Sequence, residues 1–392
     1  MTDEPLFKSF FSGGLECSTH RTRAGRRLDM LASTAHDNWT RADYSRLQEQ
    51  GMRTVRSGIR WHLIERESGV HDFSSVLPMI RAARETGTQV IWDVCHYGWP
   101  DRLDVFKPEF VKSFAQLSRA FARLLSNETD SVQFIAPVNE ISFLAWASGE
   151  VGYFYSRDEK RGFELKTQLV RAAIEGIEAV WSVLPHTRIL HADPVIHIVP
   201  DSEKPLELED AEGHRVAQFQ AWDMLAGRMW PQLGGAEKYL DIVGVNYYPH
   251  NQWIHNTLPF NPPAAINRAH PSYRPFREIL REVYTRYRRP VLIAETGAEG
   301  DARVDWLRYI SDEVAAAMHD GAQIKGICLY PIINHPGWED DRHCHNGLWD
   351  YADETGAREI YEPLALELRE QQKRFAQPSR AAQDEPSTLV YA

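Results

Sequence analysis

Apolar positions along this chain switch repeatedly between two rhythms. Short runs in which nearly every residue is apolar alternate with longer stretches where apolar residues recur every three or four positions. The first rhythm predicts strands buried on both faces, the second amphipathic helices. Strands are expected over residues 6–15, 53–61, 89–95, 132–138, 187–191, 241–248, 291–294 and 324–333. Helices are expected over 38–50, 109–126, 165–184, 273–287 and 304–318, with a further one capped by Ser74 or Ser75 and stopped at Gly87. The clearest helix is 109–126, where Phe110, Phe114, Leu117, Phe121 and Leu124 repeat at three- and four-residue steps.

Strands alternating with helices imply βαβ units and a parallel sheet. Eight such units in one chain predict an α/β fold, a single-domain (β/α)8 TIM barrel over residues 1–374. No Gly-x-Gly-x-x-Gly turn follows the first strand, which argues against a dinucleotide-binding doubly wound sheet. Segments 200–214, acidic, and 249–270, rich in proline and aromatics, are expected to be loop insertions. Residues 375–392 are polar and small and are expected to be a disordered tail.

Composition narrows the function. A formal charge of −11 argues against nucleic acid or an anionic membrane as partner. Residues 1–20 show no secretory pattern and no apolar run is long enough to span a bilayer, so the cytoplasm is the expected compartment. Cys17, Cys95 and Cys328 fall at strands or strand ends and are expected as buried free thiols. The 12 Trp, 15 Tyr and 16 Phe supply rings that can stack on the apolar faces of sugars.

Barrels carry their chemistry at the C-terminal ends of strands. Two of those ends hold an acid: Asn139-Glu140 after the fourth strand, and Glu295-Thr296-Gly297 after the seventh. Around them the other strand ends present Glu16, Arg56, Trp61, His96, Asn246, Tyr247, Tyr248, Tyr330 and Trp338. Glycosidic cleavage needs a proton for the leaving oxygen and negative charge at the anomeric carbon, which two carboxyl groups can supply. A lone rim acid is ordinary; two, in these settings, point to catalysis. His191 and Asp193 are weighed as ordinary strand residues. His343-Cys344-His345, with His335 nearby, matches no common zinc spacing, so neither metal nor cofactor is expected.

These motifs resemble the clan A glycoside hydrolases, and within them family 1, the β-glucosidase family. Arg56-Ser-Gly-Ile-Arg-Trp61 is similar to that family's second-strand Arg-Phe-Ser-Ile-Ser-Trp. His96-Tyr-Gly-Trp-Pro100 resembles its His-Trp-Asp-Leu-Pro, and Asp241-Ile-Val-Gly-Val-Asn246-Tyr-Tyr248 nearly repeats its Asp-Phe-Ile-Gly-Ile-Asn-Tyr-Tyr. The resemblance implies a retaining β-glycosidase acting on a small β-glycoside by double displacement, with Glu140 as acid and base and Glu295 as nucleophile. It implies that Asn139 holds the sugar 2-hydroxyl and that Arg56 and Tyr248 keep Glu295 ionised. His96 would bind a ring hydroxyl, and Trp338 would stack near the sugar. Departures are equally specific. Glu16 stands near the family's first-strand Gln-x-Glu-Gly, whose Gln is missing; Tyr330 replaces a Trp. Gly337 replaces the Glu that reads the 4- and 6-hydroxyls, so the sugar is left open. Transglycosylation at the same site, or a catalytically weak carbohydrate-binding barrel, are the alternatives.

Overall fold

The eight apolar runs become eight parallel strands that close on one another. In this computed structural model, which describes residues 5–154, 160–201, 204, 207–255 and 264–376, they form one barrel. Its strands are β1 (Phe11–Gly14), β2 (Thr54–Gly58), β3 (Gln89–Cys95) and β4 (Phe134–Val138). They continue as β5 (Arg188–Pro194), β6 (Ile242–Asn246), β7 (Val291–Thr296) and β8 (Ile324–Leu329). Neighbours in sequence are neighbours in the sheet, and β1 closes onto β8 with Phe11 opposite Ile327. Closure removes the free edges that an open sheet would leave. The expected (β/α)8 fold is the observed one.

The main helices are α1 (His36–Glu49), α2 (Leu77–Thr86), α3 (Pro108–Glu128) and α4 (Gly162–Trp181). They are followed by α5 (Leu208–Val216), α6 (Phe276–Tyr287), α7 (Ala302–His319) and α8 (Glu362–Ala376). On α3 the expected stripe is buried, Phe110, Phe114, Leu117 and Phe121 all facing inward. It packs closely on α4 because Gly176 has no side chain. A Cβ there would stand 2.6 Å from the Phe114 ring. Within the barrel Leu190, Ala192, Ile242, Leu292 and Ala294 share one apolar cluster with Phe134 and Phe7. Phe7, ahead of β1, lies against Phe134 with ring centroids 5.3 Å apart.

Several boundaries differ from expectation. Strand β2 ends at Gly58, and Trp61 opens a short helix, Trp61–Ile64. The N-cap of α2 is Val76, one residue past the expected serines, and no side chain caps it. Gly87 ends that helix as expected, at φ 70°. Segment 200–214 is not only a loop: α5 begins inside it. Glu209 and Asp210 lie in its first turn and His214 and Arg215 in its last, the charge order that suits a helix dipole. Within 249–270, Gln252–Ile254 pairs as a short strand with His197–Val199, and residues 256–263 lie outside the described ones. Helix α8 extends two residues into the expected tail, where Phe375 stacks on Phe10 at 4.5 Å. The remaining tail, 377–392, lies outside the described residues. All four cysteines are free and buried. Among the described residues no helix is long and apolar enough to cross a membrane.

Candidate active site

The site is built on a cation that has no contact with water. Arg56, on β2, is completely buried, and a buried guanidinium is tolerated only when fully paired. Its Nη1 donates to Glu295 Oε1 at 2.6 Å and its Nε to Asp93 Oδ1 at 3.0 Å. Its Nη2 lies 2.9 Å from Asp93 Oδ2 and donates to Asn139 Oδ1 at 2.5 Å. Strands β2, β3, β4 and β7 are thus joined through one side chain. Burial pulls the Arg56 pKa down, but Asp93 and Glu295 outweigh it and hold the group more firmly protonated than usual. Burial likewise raises Asp93, and Arg56 and His96 more than reverse it, leaving that carboxyl below its ordinary value. The second oxygen of Glu295 accepts the Tyr248 hydroxyl at 2.8 Å. Burial first, then Glu295 and Glu140, push the Tyr248 phenol well above its usual pKa, so it stays a donor.

Glu140 is placed differently. It leaves β4 at φ 48°, in the left-handed region that non-glycine residues seldom occupy, and starts the short helix Ile141–Leu144. A π-helix, Ala145–Glu150, follows directly. Asn246 Nδ2 donates to Glu140 Oε1 at 2.7 Å, and the Tyr97 hydroxyl bonds to Oε2. Asn246 lies opposite Glu295 in the pairing of β6 with β7, so the donor to one acid sits beside the other. No cation is bonded to Glu140 among the described residues. Burial, then the charge of Glu295, raise its carboxyl well above the ordinary range against the two hydrogen bonds.

The hydrogen-bond directions between the two acids are determined. Because Arg56 donates to Asn139 Oδ1, the amide nitrogen must face the other way. That nitrogen lies 3.0 Å from His96 Nε2 and 3.1 Å from the Tyr97 oxygen and donates to both. His96 therefore carries its proton on Nδ1, which faces Asp93 Oδ2 at 3.0 Å. Cys17 Sγ lies 3.2 Å from the same nitrogen.

Toward the mouth, Tyr330 lies under the Arg56 guanidinium, 5.4 Å from ring centroid to Cζ. It can do so because Gly14 ends β1: a Cβ there would meet the ring at 2.0 Å. The tyrosine hydroxyl donates to the Leu15 carbonyl at 3.3 Å. Above it His20, Tyr97, Phe154 and Trp338 form an aromatic wall, with His20 stacked on Phe154 at 3.9 Å and edge-on to Trp338 at 4.8 Å. Among the described residues, both ring nitrogens of His20 and Nε1 of Trp338 are buried without a hydrogen-bond partner. Burial, then His96 and Arg27, lower the His20 pKa to about 3, so the imidazole is neutral.

Of the residues singled out in the sequence, Glu140, Glu295, Arg56, His96, Asn139, Asn246 and Tyr248 are brought into one bonded network. Tyr330 and Trp338 border it. Glu16 is buried close by, and its Oε1 accepts the Ser18 N–H at 2.9 Å, bracing its own loop. His96 is oriented differently from the expected hydroxyl contact: both ring nitrogens are engaged within the protein. His191 is turned outward to the Tyr239 carbonyl at 3.0 Å. Asp193 accepts the Ser142 N–H at 3.0 Å just behind Glu140, and burial raises it to about 7. Gly337 sits in a turn closed by its N–H to the Arg342 carbonyl at 2.8 Å, and it offers no side chain to a hydroxyl.

Sequence reasoning missed Asp93, Tyr97, Cys17 and His20. Asp93 had a signal, an acid inside an otherwise apolar strand, which demands a buried cation. Tyr97 and His20 lie in irregular loops with no periodicity to mark them. Among the described residues two trios could offer metal ligands. Cys17, Asp93 and His96 already surround the Arg56 charge, which repels a second cation. His343, His345 and Asp350 are partly exposed, with His343 Nε2 and Asp350 Oδ1 2.7 Å apart.

The architecture is a closed eight-stranded parallel barrel with Glu140 and Glu295 at the ends of β4 and β7. Among solved structures the chain is similar to the family 1 β-glucosidase from Thermotoga maritima, with a TM-score of 0.73 at 16% identity. That match covers 94% of this chain and 98% of the other. The same enzyme in complex with deoxynojirimycin gives a TM-score of 0.73 at 15% identity, covering 94% and 99%. In complex with isofagomine lactam it gives 0.72 at 16%, covering 95% and 98%. No family sequence model matches the chain, and no curated protein matches it.

Proposed function

We propose that this protein is a retaining β-glycosidase that hydrolyses a small β-glycoside by double displacement, without a cofactor. The observation that carries the reading is the contrast between the two acids. Glu295 is gripped by a guanidinium on one oxygen and a phenol on the other, which fix its orientation as an attacking carboxylate requires. Glu140 is buried, meets only neutral donors and feels the charge of Glu295, the setting of a carboxyl that keeps its proton more tightly than an ordinary acid.

In the first step Glu295 attacks the anomeric carbon while Glu140 passes its proton to the leaving oxygen. The glycosyl ester cancels the charge on Glu295, which removes one cause of the high Glu140 pKa. Glu140, now a carboxylate, takes a proton from water as that water attacks the anomeric carbon and breaks the ester bond, and Glu295 leaves as a carboxylate. Asn139, fixed by Arg56, stands between the acids; its two amide protons are given to His96 and Tyr97, so a sugar 2-hydroxyl would donate to the second lone pair of Oδ1. The unpartnered nitrogens of His20 and Trp338 are suited to hydroxyl groups of a neutral sugar, since buried polar atoms without partners are costly unless a ligand meets them. The similarity to a family 1 β-glucosidase supports the same class of substrate.

A panel of chromogenic β-glycosides tests this on the wild type and on Glu295→Ala. Turnover is expected in the wild type, lost in the variant and restored by azide as an α-glycosyl azide. Sugar binding with no turnover in the wild type would replace this reading with a carbohydrate-binding barrel.

A further inference from the structure

Tyr97 stands at the exit of β3 at φ 65°, and Glu140 at the exit of β4 at φ 48°. Neither is glycine, so the surrounding structure holds both in an unfavourable backbone region, and the result is that their side chains meet. The phenol oxygen already accepts a hydrogen bond from Asn139 Nδ2, whose orientation Arg56 dictates. Its single O–H is therefore left for Glu140 Oε2.

We propose that Tyr97 is a positioning residue for the glycosidase reaction: as an obligatory donor it limits how tightly Glu140 binds its proton, and so sets the pH at which the acid can become a base. The proposal rests on the glycosidase reading. Every other element packed around Glu140 bears on the same balance. From β6 Asn246 favours the ionised form, whereas Glu295 on β7 and Asp193 on β5 oppose it, as does burial itself. Tyr248, beyond β6, is bonded to Glu295 rather than Glu140. Removing the Tyr97 hydroxyl would leave Asn246 as the only donor to Glu140 among the described residues. Tyr97 cannot act as the acid itself, because burial and the charges of Glu140 and Glu295 hold its phenol well above the usual range.

Two substitutions test this with opposite signs. Tyr97→Phe should move the alkaline limb of the kcat/KM profile, measured with a poor leaving group, up by about one to two pH units, the worth of a hydrogen bond to a charged group. Replacing Tyr97 with 3,5-difluorotyrosine keeps the shape, strengthens the donor and should move the limb down; this variant also serves if the Phe variant does not fold. Infrared titration of the protonated carboxyl band, assigned by its loss in Glu140→Gln, follows the same shift without any substrate. If no β-glycoside is turned over, the glycosidase reading falls while the infrared titration still judges Tyr97. A carboxyl titration unmoved by either substitution, or lowered by Tyr97→Phe, would overturn the proposal.

Discussion

The two halves of the site treat the same functional group in opposite ways. Glu295 shares Arg56 with Asp93, and Arg56 carries a full charge that water cannot screen. Glu140, reached from Glu295 through the bonds of Arg56, Asn139 and Tyr97, has two neutral donors and two acids for company. Identical carboxyl groups thus meet different partners, and those around Glu140 leave its carboxyl raised well above the ordinary range. The lesson is that the division of labour lies in the donors as much as in the acids.

The contrast can be broken most severely at Glu295. Glu295→Ala is expected to lower kcat by about 10⁴- to 10⁶-fold, as loss of a nucleophile does elsewhere, measured by steady-state assay with and without azide. Glu140→Gln should cost about 10²- to 10⁴-fold with a poor leaving group. It should cost much less for the glycosylation step with nitrophenyl glycosides, whose leaving group needs no proton, and pre-steady-state kinetics would separate the two. Equal losses for both leaving groups would remove Glu140 from the role of acid.

A third test concerns stability. Arg56→Met leaves Asp93 and Glu295 buried beside an uncharged neighbour, and about 3–5 kcal/mol of destabilisation is expected in denaturant titration. Asn246→Ala, which removes a neutral donor from Glu140, should cost only about 1 kcal/mol. The smallest effect is expected at Asp193. Burial holds its carboxyl at about 7, above the ordinary 3.8, so the native state binds the extra proton between those values. Its contribution therefore declines as pH rises from about 4 to 7, and Asp193→Asn should flatten the stability–pH curve over that window. The same substitution removes one neighbouring charge from Glu140 and should lower the alkaline limb slightly.

Much of this was legible before any coordinates. The barrel followed from eight apolar runs interleaved with helical periodicity, because strands covered on both faces cannot hide that pattern. Glu140 and Glu295 stood out because the runs end on them. What escaped was set by contacts remote in sequence. The left-handed residue of the turn after β3 is Tyr97 itself, not the neighbouring Gly98 that the sequence would suggest for that conformation. His20 lies in a loop whose path depends on Phe154 and Trp338. The engagement of His96 with Asn139 and Asp93, rather than with an open pocket, depends on the direction in which Arg56 turns the amide. Helix α5 was hidden by its acidic composition, although its end charges suit a helix. Gly337 was visible as a missing side chain, and a panel varying the sugar at C4 and C6 should show no strong preference for the gluco configuration.

The central claim is that Glu295 forms a bond to the sugar. The most direct measurement is proton NMR of the first-formed product from the best substrate of the panel, recorded before mutarotation. The β anomer is expected to appear first, since two inversions restore the starting configuration; an α anomer appearing first would mean that water, not Glu295, attacks the glycoside.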